Sequence, residues 1–203
     1  MSDIQKLILL SGGVDSTVAL YESHANKDRL AALSFDYGAK HNHKEIPFAE
    51  HHCGVLGVPH QTIKLDFVSE FSSALLSGPL PDAKDDQSST VVPFRNGIML
   101  SIAGGFAQSM GAKYVLLAAH SGDHAIFPDC RTQFLRSFNS ALWLGTGLKV
   151  SLEIPFSRMT KNQIVKKGRK LGVDFDKTWT CYAGTDQPCG KCNACRERER
   201  AFE

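Results

Sequence analysis

Apolar residues fall along this chain in short unbroken runs, and the stretches between those runs have helical spacing. The first run, residues 7–10, passes into Ser-Gly-Gly and then into a helical stretch over residues 16–24. Continuous runs of this kind are what strands buried on both faces present. A second strand is predicted over residues 30–35, ending at Asp36, Tyr37 and Gly38. Ile46, Ala49, Cys53 and Leu56 then recur at helical spacing, Gly57 is placed to stop that helix, and residues 59–65 predict a third strand. Residues 69–76 carry a weak helical pattern. Residues 77–90 are rich in Gly, Pro, Ser and Asp, and are read as a mobile cover for a crevice, with a plain surface insertion as the alternative. Residues 95–110 are apolar almost all round, which predicts a buried helix whose Ala103, Gly104 and Gly105 allow close approach. A fourth strand is predicted over residues 113–119, followed by the polar stretch HSGDHAIFPDCR. Phe134, Leu135, Phe138, Ala141 and Leu142 predict a packed helix face, and residues 150–154 a last strand. Thr160 and Gln163 form a capping-box pattern for a helix that stops at Gly172.

Strand, helix, strand, helix, strand predicts an α/β fold with a doubly wound, mainly parallel sheet, in which ligands bind beyond the carboxyl ends of the strands. The loops after the first two strands should therefore face one crevice. The sheet domain is placed at residues 1–177 and a small C-terminal module at residues 178–203. A length of 203 residues suits one well-buried domain with an appendage. With 42% hydrophobic and 22% charged residues, neither a disordered nor a fibrous class is called for. No run approaches the length of a membrane span, and residues 1–6 lack the pattern of a signal peptide, so a cytoplasmic protein without a membrane partner is expected. A formal charge of +2 does not argue for a nucleic-acid surface, although residues 191–200 are locally basic. A small anion is the better partner.

The first loop is built for such an anion. Gly12 and Gly13 let the backbone bend with its N–H groups converging, Ser11, Ser16 and Thr17 add hydroxyls, and the positive end of a helix faces the same spot. The GxxxxGK[ST] loop requires a lysine that is missing here. The stretch SGGVDST instead resembles the PP-loop of the ATP pyrophosphatases, and Leu10, Ser11, Gly12, Gly13, Val14, Asp15, Ser16 and Thr17 are its nucleotide-binding candidates. Cys181, Cys189, Cys192 and Cys195 supply four thiolates at short spacings, which predicts a closed, structural tetrahedral Zn²⁺ site. Disulfides are disfavoured in a protein without an export signal.

Taken together, SGGVDST, FDYGAKHNHKE, VVPFRN, FPDCR and a closing C-x7-C-x2-C-x2-C resemble, in order, the motifs of the 7-cyano-7-deazaguanine synthase family. The resemblance implies an adenine nucleotide alpha hydrolase-like PP-loop fold and an ATP-dependent carbon–nitrogen ligase that uses Mg²⁺, joins ammonia to 7-carboxy-7-deazaguanine, and passes through an adenylated acid and an adenylated amide to the nitrile. It implies a homodimer acting on small molecules, with no direct nucleic-acid contact. Carried onto this chain, it makes Asp15 a candidate for holding Mg²⁺ or orienting the loop, and Arg95 and Arg131 candidates for clamping carboxylate or phosphate. Asp123 or Asp129 would accept from the guanine-like edge, Asn96 belongs to the same substrate side, and Tyr37 and His41 would stack or transfer protons. Phe94 stands where the family usually has a small residue and Ala39 where it usually has glutamine, and HSGDHAI also departs; these departures are expected on the substrate side. A relative that stops at the amide or takes another deazapurine acid, and a PP-loop tRNA thiolase, are the competing readings.

Overall fold

The computed structural model describes residues 4–203. Its five strands are β1 (Lys6–Leu9), β2 (Leu30–Asp36), β3 (His60–Lys64), β4 (Tyr114–Leu116) and β5 (Ser151–Glu153), and its helices are α1 (Val14–Ala25), α2 (Asn42–Leu56), α3 (Arg95–Met110), α4 (Thr132–Gly145), α5 (Lys161–Lys170) and α6 (Asn193–Phe202). The strands form one sheet in the order β3-β2-β1-β4-β5. All pairings are parallel, with Leu7 opposite Ala31 and Val115, and Leu116 opposite Glu153.

β1 is central, and its apolar run divides between two cores as the pleat requires. Leu7 and Leu9 pack with Leu100 and Ala103 of α3 and Leu135 of α4. Ile8 and Leu10 turn the other way, onto Val18 and Leu20 of α1, Ala49 of α2 and Ile164 of α5. Burying each such side chain stabilises the fold by about 1.5–3 kcal/mol relative to exposure. The strand order reverses across β1, so the loop after β1 and the turn after β2 open into the crevice where such sheets bind ligands.

Residues 69–76 form no α-helix: a short 3-10 helix, Asp66–Glu70, leads into irregular chain. Val68 is buried and then Ser73, Ala74 and Leu75 consecutively, not at the three- and four-residue spacing of a helix face. The segment after them is tied down rather than free-standing. Lys40 Nζ donates to the carbonyls of Ala74 and Gly78, and the Ala83 amide donates to the Lys191 carbonyl at 3.0 Å. α3 is also less enclosed than its composition predicts. Ser101, Gly105 and Gln108 face outward, while a side chain at Gly104 would stand 2.4 Å from Leu142 Cδ1, which explains the close α3–α4 approach. Residues 178–203 lean on the sheet domain: Trp179, Cys181 and Cys192 cluster with Phe48 of α2, and Ala201 of α6 packs on Val14 and Val165. Among the described residues, no helix is long and apolar enough to cross a membrane.

Candidate functional site

Between β1 and α1 the chain turns at Gly12, whose φ of +88° is open to glycine alone at low cost. Hydroxyls brace the turn: the Gly13 amide donates to Ser11 Oγ at 3.1 Å, the Ser11 amide donates to Ser16 Oγ at 3.1 Å, and Ser16 Oγ donates back to the Gly13 carbonyl at 3.3 Å. No side chain caps α1, so its first amides and its dipole remain available to an anion. The loop opens into a cavity of about 240 Å³. Leu10, Ser11, Gly13, Val14, Asp15 and Ser16 line it, whereas Gly12 shapes the turn from behind and Thr17 is buried beneath it.

Asp15 belongs to an ionic cluster on one side of the cavity. Lys161, the first residue of α5, bridges Asp15 Oδ2 and Glu197 Oε2 at 3.0 Å each. Burial alone would lower the ammonium pKa of Lys161, but Asp15, Glu197 and Asp123 outweigh it and hold the lysine charged. His120 Nδ1 accepts from the Gly122 amide, which leaves the ring proton on Nε2, facing Asp15, Asp123 and Glu197 at 3.7–3.9 Å. Burial raises the Asp123 carboxyl. Lys161→Met is expected to destabilise the protein by about 3–5 kcal/mol, because it strips the cation from two partly buried carboxylates. Urea unfolding would measure this, and a loss below about 1 kcal/mol would show that the bridge is not needed.

Opposite lies the wall set by the turn after β2. Asn42 Oδ1 accepts from the Tyr37 amide at 3.2 Å and the Ala39 amide at 2.9 Å, which fixes Tyr37 and His41 toward the cavity. Arg95 Nη1 donates to Tyr37 Oη at 2.9 Å, and the guanidinium lies 5.5 Å from the ring centroid. Burial raises the Tyr37 hydroxyl pKa, against the lowering influence of Arg95. Burial, with Arg95, lowers His41 to about 4, so its ring is neutral at physiological pH. Glu45, one turn into α2, joins this wall, and burial pushes its carboxyl up to about 8.

Other candidates lie elsewhere. Asn96 faces the cavity, but Asp129 is committed to its amide at 2.7 Å and its Nδ2 at 3.3 Å, capping α3 in place of Phe94 and positioning rather than lining. Arg131 is exposed and donates through Nε to the His124 carbonyl at 3.1 Å, outside the cavity lining, so it is not placed to clamp a ligand there. Phe94 and Ala39 are outside the lining as well. The Phe94 ring sits on the surface over Gly97 and against Phe134, at left-handed φ of +51°; of the three departures from the family pattern, only HSGDHAI, through Asp123, reaches the cavity. Glu45, Lys161, Trp179, Thr180, Tyr182 and Glu197 line it without having been singled out in the sequence.

The cysteines converge. The sulfur atoms of Cys181, Cys189, Cys192 and Cys195 lie within 4.8 Å of one another. Backbone amides point at them, from Ala183 and Cys189 to Cys181 Sγ and from Cys192 to Cys189 Sγ, at 3.3–3.5 Å. Four mutually close thiols with amide donors to sulfur fit a tetrahedral Zn²⁺.

A parallel sheet whose central strand delivers a Ser-Gly-Gly loop to an uncapped helix N-terminus is the arrangement of a PP-loop fold. The chain belongs to the QueC family: the profile described as "Queuosine biosynthesis protein QueC" matches residues 5–203. The 7-cyano-7-deazaguanine synthase of Desulfotalea psychrophila is 50% identical over 98% of this chain and 94% of its own length. Two solved structures share the fold. NMN synthetase from Francisella tularensis has a TM-score of 0.55 at 17% identity, over 93% of this chain and 71% of that one. A 4-thiouridine synthetase in an RNA complex with bound ATP has a TM-score of 0.57 at 16% identity, over 98% of this chain and 50% of that one.

Proposed function

We propose that this protein is an ATP-dependent carbon–nitrogen ligase that converts 7-carboxy-7-deazaguanine and ammonia to 7-cyano-7-deazaguanine. The observation that carries this reading is a single cavity that has an anion-binding loop on one wall and a buried guanidinium on the other, in a chain matched nearly end to end by relatives named for that product. The chemistry needs both walls. A carboxylate expels oxide poorly, so its oxygen must first be joined to the ATP α-phosphorus, with pyrophosphate leaving.

In this reading, Ser11, Gly13 and the first amides of α1 hold the β and γ phosphates, where the loop and helix dipole favour negative charge. Asp15 Oδ1 is buried without a hydrogen-bond partner, a fit for Mg²⁺. The ion would offset phosphate charge when bound. Arg95, held by Tyr37, orients the substrate carboxylate or the α-phosphate. Asp123 meets the guanine-like edge, and His41 is a neutral hydrogen-bonding group on the opposite wall of the same cavity. Ammonia then displaces AMP to give the amide, and adenylation of the amide oxygen allows the nitrile to form as AMP leaves. Residues 178–203 are read as a Zn²⁺-held module that completes the cavity, and the assembly as a homodimer in which a second copy covers the exposed Phe94, Trp143 and Leu144.

Incubation with Mg-ATP, ammonium and 7-carboxy-7-deazaguanine is expected to yield the nitrile by mass spectrometry. Accumulation of the amide alone would favour the shorter reaction, and unchanged acid would overturn the reading. A thiolase fits less well, because burial together with Asp123 and Asp129 pushes the Cys130 thiol up to about 12 and leaves no thiolate in the cavity at neutral pH.

A further inference from the structure

His120 is buried beside the cavity without lining it, and one of its hydrogen-bonding atoms, Nε2, has no partner. Its Nδ1 accepts from the Gly122 amide at 3.0 Å, so the ring proton sits on Nε2. An N–H cannot ligate a metal or take up a proton; it can only donate. A buried donor without an acceptor costs stability, and its retention calls for a reason. Three carboxylates stand in front of it: Asp123 Oδ1 and Glu197 Oε1 at 3.7 Å and Asp15 Oδ2 at 3.9 Å, all beyond hydrogen-bond length.

Two of the three are already served. Lys161 bridges Asp15 and Glu197 at 3.0 Å each. Among the described residues no lysine or arginine pairs with Asp123, whose one hydrogen bond comes from the His120 amide to Oδ2 at 2.9 Å. A single residue therefore holds one oxygen of Asp123 and aims a second donor at the other. Exposure divides the work: the Asp123 side chain is 26% exposed and lines the cavity, whereas the His120 side chain is 2% exposed and stands behind it. Asp123 also needs fixing, because it is carried by a short 3-10 helix, Ser121–Ala125, rather than by a long element.

We propose that His120 is a positioning residue for substrate recognition: when the deazaguanine acid enters, its Nε2–H closes onto Asp123 Oδ1 and sets that carboxylate square to the two N–H groups of the guanine-like edge. The proposal rests on the ligase reading and names the residue that aims its base-reading group. A shift of about 1 Å brings the 3.7 Å separation within hydrogen-bond range. Each carboxylate oxygen has two lone pairs, so both can accept from the substrate while His120 holds them.

The test uses His120→Asn and His120→Gln. Asparagine keeps an acceptor near Nδ1 for the Gly122 amide but offers no inward N–H, whereas glutamine places an N–H near Nε2. Acid-dependent pyrophosphate release is measured with 7-carboxy-7-deazaguanine and with the analogue that lacks the exocyclic amine. His120→Asn should raise KM for the acid about tenfold with kcat little changed, because Asp123 meets an edge remote from the reacting carboxyl. Its preference for the acid over the analogue should fall by a similar factor. His120→Gln should restore both KM and preference. Asp123→Asn should lose the same preference, and adding His120→Asn to it should cost nothing further, since the histidine acts only through that carboxylate. Calorimetric titration with Mg-ATP in the absence of acid should give the parental affinity in every variant, which shows the loop and fold intact. Unchanged preference in His120→Asn or Asp123→Asn, equal loss in His120→Gln, additive losses in the double variant, or lost ATP binding would each overturn the proposal. Absence of acid-dependent pyrophosphate release from wild type would instead overturn the ligase reading, and the proposal with it.

Discussion

Gly12→Ala is expected to abolish nucleotide binding and to destabilise the protein by more than about 4 kcal/mol, a range confined to severe steric or desolvation faults. A left-handed alanine costs only about 1–2 kcal/mol. The larger part is collision: a Cβ at Gly12 would stand 2.1 Å from the Glu45 carbonyl oxygen and 3.0 Å from the Ala49 amide nitrogen. Both atoms belong to the backbone of α2, which cannot step aside as a side chain can. Relief requires the loop to shift, and its shift would misdirect the amides of Gly13 and the start of α1. Gly13→Ala makes a graded control, because the nearest atom to its Cβ would be Ser11 Oγ at 3.1 Å, a side-chain atom able to rotate. Calorimetric titration with ATP checks both. Parental affinity in Gly12→Ala would show that the turn does not hold phosphate.

Loss of Zn²⁺ is expected to be as severe, for a different reason. Structural zinc sites contribute about 10–16 kcal/mol of apparent binding free energy to the fold they close. Here the cysteines carry the far wall of the cavity. The Trp179 amide donates to the Gly12 carbonyl at 3.1 Å, the Trp179 indole donates to the Cys181 carbonyl at 2.7 Å, and Gly184 packs so closely on the Lys40 carbonyl that a Cβ there would stand 1.9 Å away. Releasing the thiolates removes Trp179, Tyr182 and Glu197 from the cavity together. Cys192→Ser, or chelation of the metal, should therefore abolish adenylation as well as lower Tm. The check is pyrophosphate release measured on protein shown by circular dichroism to retain its sheet. Full adenylation by metal-free protein would mean that the cysteines serve only the outside of the molecule.

Much of this architecture is legible in the chain. Residues 7–10 are a continuous apolar run and residues 30–35 one broken only by Ser34, because β1 and β2 are covered on both faces. The SGGVDST loop and the cysteine spacing are legible for a related reason: each places all its chemistry within a few residues. The far wall of the cavity is not. Lys161 reads as the first residue of an amphipathic helix, and Glu197 as one of several alternating charges in α6, yet they meet across Asp15. Tertiary pairing of distant charges has no local period. Glu45 lies in the quoted FDYGAKHNHKE stretch and four residues after His41, a helical spacing that would have placed both on one side of α2. Asp129 and Arg131 mislead for the opposite reason. Residue type makes them plausible ligands, but a helix start without a capping side chain needs an acceptor more, and Asp129 supplies it.

The bond from the Trp179 amide to the Gly12 carbonyl also bears on the order in which the molecule assembles. The Ser-Gly-Gly loop follows the first strand, but one of its carbonyls is satisfied by a residue that follows all five strands. Loop-closure entropy places such contacts late, after the local βα units have formed. A nascent or metal-starved chain can therefore hold a nearly complete sheet while its nucleotide cleft is still open. With Zn²⁺ on the four cysteines as proposed, zinc supply is expected to set the yield of competent protein at the stage of folding, before any substrate is met.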